Sequence, residues 1–148
     1  MNQKEQAIVD QAIEILRKEI SVNPITLDSP EASRQFCQLT LADKEHEVFM
    51  ALFLSTTHQL IKAVEMFRGT IDAALIYPRE VAKEALSHNA AAAIFAHNHP
   101  SGSSEPSLAD QAITRRLVDA LGLLDIRVLD HIIVSRSETV SFAERGLL

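Results

Sequence analysis

Residues 48–54 read Val48-Phe49-Met50-Ala51-Leu52-Phe53-Leu54, seven apolar side chains in a row. A half-exposed strand would alternate, and an amphipathic helix would repeat at three and four residues. An unbroken run this short suits a strand buried on both faces, inside a sheet covered by helices. Downstream, Ser55-Thr56-Thr57-His58 reads as a turn into a second strand, about Gln59 to Phe67, which Gly69 ends. Pro78 opens a helix carrying Val81, Ala82, Ala85 and Leu86 on one side, and Asn89 closes it. The Ala90–Ala96 stretch is alanine-rich and helical by propensity. It lies between a closed helix and a loop, so the reading is a strand ending near His97.

Residues 100–106, PSGSSEP, form the only dense cluster of loop formers. A helix from Ser107 with Ala112, Ile113, Leu117 and Leu121 follows, stopped by Gly122. Arg127 to Ser135 reads as a further strand and Thr139 to Phe142 as a short one. Upstream, Ile8, Ala12, Leu16 and Ile20 make a helical stripe, with Val9 and Ile13 beside it. Asn23 and Pro24 break that helix. Ser29 and Pro30 read as the N-cap and first position of another, carrying Ala32, Phe36 and Leu39. Interleaved helices and strands give an α/β or α+β fold around one mixed sheet.

The chain has 148 residues, enough for one domain with a core of its own. It is 47% hydrophobic and 23% charged, which excludes disorder. Its net charge of −6 argues against a protein living on nucleic-acid phosphates. Cys37, placed in a helix and expected to be buried, is the single cysteine, which excludes internal disulfides and cysteine-based zinc sites. The apolar runs are far too short for a membrane span, and the MNQKEQ start lacks a signal-peptide core. The expected compartment is the cytoplasm.

The chemistry gathers at His97-Asn98-His99 and the segment after it. On extended backbone, histidines two apart point to one face, roughly 6.6 Å apart along the strand. Both imidazoles can then converge on one ion. Asp110 supplies a third ligand if the intervening loop folds back. Two histidines and a carboxylate with a fourth position open is a composition of catalytic zinc sites. Ser107-x-x-Asp110 also fits a capping box at a helix start. The two roles are compatible, and the spacing leaves both open.

His97, His99, Ser107 and Asp110 fit the spacing of the JAMM metal signature: H-x-H, seven residues, Ser, two residues, Asp. The segments FRGT (67–70), YPREV (77–81), HNHPSG (97–102), DHIIV (130–134) and SFAERG (141–146) resemble the RadC family of bacterial JAMM-type proteins. The resemblance runs from about Ala42 to the C-terminus. It implies a single MPN/JAMM-like α/β domain over 42–148, a mixed sheet flanked by helices in a deaminase-like three-layer arrangement. Residues 1–41 would form a helical extension packed on it.

The resemblance further implies one Zn²⁺ per chain on His97, His99 and Asp110, with water in the fourth place. Zinc lowers the pKa of bound water to about 7. A glutamate ahead of the metal motif then takes the proton. Glu47, just before the Val48–Leu54 run, occupies that position; Glu45 and Glu105 are its rivals. Ser107 would hydrogen-bond the oxyanion. The implied activity is hydrolysis of peptide or isopeptide bonds. RadC proteins usually carry an upstream helix-hairpin-helix module. With no glycine before Gly69, the expectation is that this module is absent or reduced.

Other readings remain in view. One is an accessory factor or metal-dependent enzyme of DNA repair and recombination; another is an interaction module. The string His97-Asn98-His99 matches HNH nucleases in letters only. A zinc deaminase would need H-x-E and P-C-x-x-C. His131, beside Asp130, reads as a structural histidine, with support of a metal ligand as the sharper alternative. His46, His58 and His88 are expected in solvent at element ends. Arg68, Arg79, Arg115 and Arg116 read as ordinary surface charge. The PSGSSEP loop is a candidate lid.

Overall fold

A computed structural model describes residues 1–22, 25–69 and 76–148, without the side chains of residues 20–22. The break at Asn23 and Pro24, the Ile20 side chain and Thr70 of FRGT lie outside the described residues.

The order is α1 (Gln3–Val22), α2 (Pro30–Leu41), β1 (Val48–Leu54), β2 (Leu60–Arg68), α3 (Pro78–Ser87), β3 (Ala92–Asn98), α4 (Leu108–Gly122), β4 (Arg127–Val134) and β5 (Thr139–Ser141). The strands form one mixed sheet in the order β2-β1-β3-β4-β5. Only β3 and β4 are parallel, joined through α4; the other pairs are antiparallel. This is an α/β domain of three layers.

The apolar run behaves as its composition demands. β1 lies between β2 and β3 and is buried at every position. Its alternate side chains serve two cores. Val48, Met50, Leu52 and Leu54 meet Phe36, Cys37 and Leu41 of α2 on one face. Phe49, Ala51 and Phe53 meet Val81 and Ala85 of α3 and Ile113, Leu117 and Leu121 of α4 on the other. β3 is buried throughout as well. Pairing on both edges overrides the helix propensity of its alanines.

Ser29 caps α2, its hydroxyl accepting the Ala32 N–H at 3.2 Å with Pro30 at the first position. Residues 25–27 are stitched to the β1–β2 turn by the Leu27 N–H to His58 carbonyl bond at 2.8 Å and the Leu60 N–H to Ile25 carbonyl bond at 2.7 Å.

Several expectations are corrected. Ile8 is 66% exposed and Leu86 58% exposed, because the covered faces of α1 and α3 are narrower than their apolar stripes. The end of β3 is as read: the strand runs from Ala92 to Asn98, closing near His97. α3 ends at Ser87 and is closed by Asn89 as read, at φ 53° with its N–H on the Leu86 carbonyl. His46 is exposed, but His58 and His88 are half-buried. His58 occupies the left-handed position of its turn, and His88 stacks on Phe53 and approaches Glu84 at 3.3 Å. Arg68 forks onto Glu65, and Arg79 lies over Tyr77, in keeping with ordinary surface charge. No helix among the described residues is long and apolar enough to cross a membrane.

Candidate metal centre

The site forms where β3 ends and α4 begins. His97 is on the last turn of pleat in β3, on the face shared with Phe49 and Phe95, and its ring stacks on Phe49 at 6.1 Å. The chain then turns at His99-Pro100-Ser101-Gly102, closed by the Gly102 N–H to His99 carbonyl bond at 3.1 Å. Gly102 sits at φ 101°, a conformation side chains resist. The turn brings the Ser103 carbonyl back to accept from His99 Nδ1 at 2.8 Å. That bond leaves His99 Nε2 to face inward.

Asp110 arrives at the third position of α4. Ser107 Oγ accepts the Asp110 N–H at 3.0 Å, and Asp110 Oδ2 accepts the Ser107 N–H at 2.8 Å, a complete capping box. The same carboxylate lies 3.0 Å from His97 Nε2 through Oδ1 and 3.3 Å from His99 Nε2 through Oδ2. The two Nε2 atoms are 2.9 Å apart. Capping and convergence on His97 and His99 are therefore both present in one residue.

Among the described residues, His97, His99 and Asp110 form the one group of three or more such donors placed to hold a metal ion, with ligand atoms all within 4.8 Å of one another. The donor set is two imidazole nitrogens and a carboxylate oxygen, which suits a divalent transition ion. His97 and Asp110 are buried, and His99 is 15% exposed at the mouth. Burial works against the Asp110 charge, but hydrogen bonds from His97 and His99 outweigh it and hold the carboxyl well below its ordinary range. The bond to Asp110 lifts the His99 pKa above the usual imidazole value; burial opposes this, and the Glu47 charge adds to it.

Glu47 is half-buried at the start of β1. Phe49 pairs with His97, so carrying the register two residues further sets Glu47 across from His99. Its carboxylate acts electrostatically on His99, and its carbonyl accepts the Gly69 N–H at 2.8 Å. Glu45 is exposed. Glu105 is also exposed and forked onto Arg145 at 2.8 and 2.9 Å.

Two further side chains frame the site, and only the second was flagged by the sequence. Buried Asn98 turns away from the histidines: its Oδ1 accepts the Val48 N–H at 2.7 Å, and its Nδ2 donates to the Lys44 and His46 carbonyls at 3.3 and 2.9 Å. His131 is fully buried, walled by Phe49, Phe95 and Phe142. Burial, with the His97 charge second, pushes its pKa well below the imidazole range. Its Nε2 meets His97 Nδ1 at 2.7 Å, and its Nδ1 meets Thr114 Oγ1. The structural role expected for His131 and a contact with a metal-site histidine coexist. The apolar DHIIV run gave a signal for a buried histidine; nothing near Thr114 in the chain pointed to it.

The PSGSSEP loop is strapped down rather than free. Ser104 is buried and donates to Glu138 at 2.6 Å, Glu105 forks with Arg145, and the His99 N–H bonds the Val134 carbonyl at 2.8 Å.

This geometry agrees with comparisons to known proteins. The profile of the RadC-like JAB domain matches residues 27–147. The chain belongs to the RadC-like JAB domain family. A UPF0758 protein of Methylibium petroleiphilum is 55% identical over 142 residues, covering 96% of this chain and 64% of the relative. One from Nitrosomonas eutropha is 52% identical over 143 residues, covering 97% of this chain and 63% of the relative. A UPF0758 protein of Vibrio cholerae is 56% identical over 144 residues, covering 97% of this chain and 90% of the relative. The chain thus spans under two thirds of the first two RadC-family relatives and most of the third. The names of these relatives state no activity.

Proposed function

We propose that this RadC-type domain is a zinc-dependent hydrolase of the JAMM metallopeptidase kind, acting on a peptide or isopeptide bond. The observation that carries this reading is the convergence of His97 Nε2, His99 Nε2 and an Asp110 oxygen within 4.8 Å, with Glu47 acting on His99 from the neighbouring strand. His97, His99 and Asp110 would hold one Zn²⁺ per chain. When bound, the ion supplies Lewis acidity and a lowered pKa for a coordinated water.

The remaining work falls to the protein's own groups. Glu47 takes the proton of the attacking water and passes it to the leaving nitrogen, the role of a carboxylate general base and acid. Ser107 Oγ serves the cap as an acceptor, so its hydroxyl proton is available to donate to the oxyanion developing on the scissile carbonyl. The peptide class comes from the family resemblance and its match to this donor set.

The test is elemental analysis of untagged wild type and His99→Ala, followed by a peptide and isopeptide substrate screen. About one zinc per chain, lost in the variant, with hydrolysis that needs the metal, supports the reading. A wild type that takes up no zinc when it is offered overturns it.

A further inference from the structure

Four residues and their hydrogen bonds close a circuit around the candidate metal position. The Thr114 hydroxyl lies 2.6 Å from the Asp110 carbonyl oxygen. A carbonyl cannot donate, so the single hydroxyl proton of Thr114 goes to it. Thr114 Oγ1 then has only lone pairs to offer to His131 Nδ1. His131 must therefore carry its proton on Nδ1, leaving Nε2 bare. His97 Nδ1 faces that bare nitrogen at 2.7 Å, so His97 must carry its own proton on Nδ1. With an ion bound, His97 Nε2 would give up the proton it shares with Asp110 Oδ1 and turn its lone pair to the metal position between Asp110 and His99.

We propose that Thr114 and His131 are positioning residues that fix the tautomer and ring orientation of His97, so that its Nε2 is presented to the metal. The circuit runs from the Asp110 carbonyl through Thr114, His131 and His97 to the metal position, and back to the Asp110 carboxylate. The inference rests on the proposed metal reading. His99 has no such relay, since the Ser103 carbonyl fixes it directly. In the ion-bound state the two histidines would thus reach the same tautomer by different means. His97 lies inside the sheet, where adjacent main-chain carbonyls are engaged in the β1 and β4 ladders, and a side chain has to supply the acceptor. An acceptor on the far ring nitrogen of a ligating histidine raises its basicity, and losing one lowers metal affinity by roughly 10–100-fold.

Thr114→Val keeps the shape and removes the hydroxyl; Thr114→Ser restores it. Zinc affinity would be read by competition with a chelator, and the tautomers from long-range ¹⁵N–¹H spectra of the imidazoles. Nδ1-protonated His131 in metal-free and zinc-loaded wild type, and Nδ1-protonated His97 in the loaded form, are expected. Affinity should fall roughly 10–100-fold in Thr114→Val and recover in Thr114→Ser. A proton on His131 Nε2, or unchanged affinity in Thr114→Val with the wild-type tautomers, overturns the inference. If wild type binds no zinc, the metal reading falls and the His131 tautomer alone decides the wiring.

Discussion

Asn98 closes the β1–β3 ladder with its side chain: its Oδ1 accepts the Val48 N–H at 2.7 Å. The same amide donates to the Lys44 and His46 carbonyls, so one residue between two candidate ligands holds the segment that delivers Glu47. Asn98→Ala orphans a buried N–H and two carbonyls, for a loss of about 1–3 kcal/mol in denaturant unfolding. Zinc content should stay at the wild-type level while hydrolysis falls with the displaced Glu47. Activity equal to wild type would separate Glu47 from the chemistry.

The two duties of Asp110 can be split by substitution. Ser107→Ala removes the cap acceptor and should cost about 1 kcal/mol of stability with zinc retained. Asp110→Asn keeps an oxygen for the Ser107 N–H and takes away the carboxylate. It should unfold near the wild-type midpoint with markedly reduced zinc. Asp110→Ala should lose both. Equal zinc in all three variants would reduce Asp110 to a helix cap.

Glu47→Gln preserves shape and removes the proposed base. Zinc should remain and turnover should drop by roughly 10²–10⁴-fold. Glu45→Gln and Glu105→Gln should retain turnover. Loss confined to either of those variants would move the proton-transfer role to that residue.

Asp130 should leave a signature in the pH dependence of stability. Burial raises its pKa above the ordinary 3.8, against the bonds from Ser141, Ala143 and His131. The folded state therefore holds this proton to higher pH than the unfolded chain does. Stability from Asp130 is full below the unfolded value and is lost as pH rises through the folded one. Asp130→Asn can still bond Ser141 and cannot ionise. The stability of wild type relative to this variant should decline as pH rises above about 4, as read by parallel unfolding curves. A constant difference would show an unshifted carboxyl.

Cys37 is fully buried on the inner face of α2, and burial pushes its thiol far up. A thiol reagent should label it only at the rate of unfolding. Rapid labelling of the folded protein would show that this core opens locally.

The sequence made the central layers readable because β1 and β3 carry their burial in their composition. The spacing of His97, His99, Ser107 and Asp110 was readable because one turn and one helix start bring them together. Ile8 and Leu86 misled because apolar periodicity reports a face without saying what covers it. Asn98, Thr114 and His131 act on partners 50, 17 and 34 residues away along the chain, across strands and a helix whose register no local pattern encodes. Their chemistry follows from topology, and only the folded sheet displays it.

The straps on residues 103–105 have a thermodynamic consequence. With Ser104 on Glu138 and Glu105 on Arg145, the loop joining the two sources of donor atoms is ordered by the fold itself. Capture of the proposed ion would then carry little conformational entropy cost, and a chelated protein would keep its backbone shape. Dissociation of the ion would become a local ligand-exchange event, decoupled from unfolding, and competing divalent ions would be sorted by coordination preference at a rigid cage.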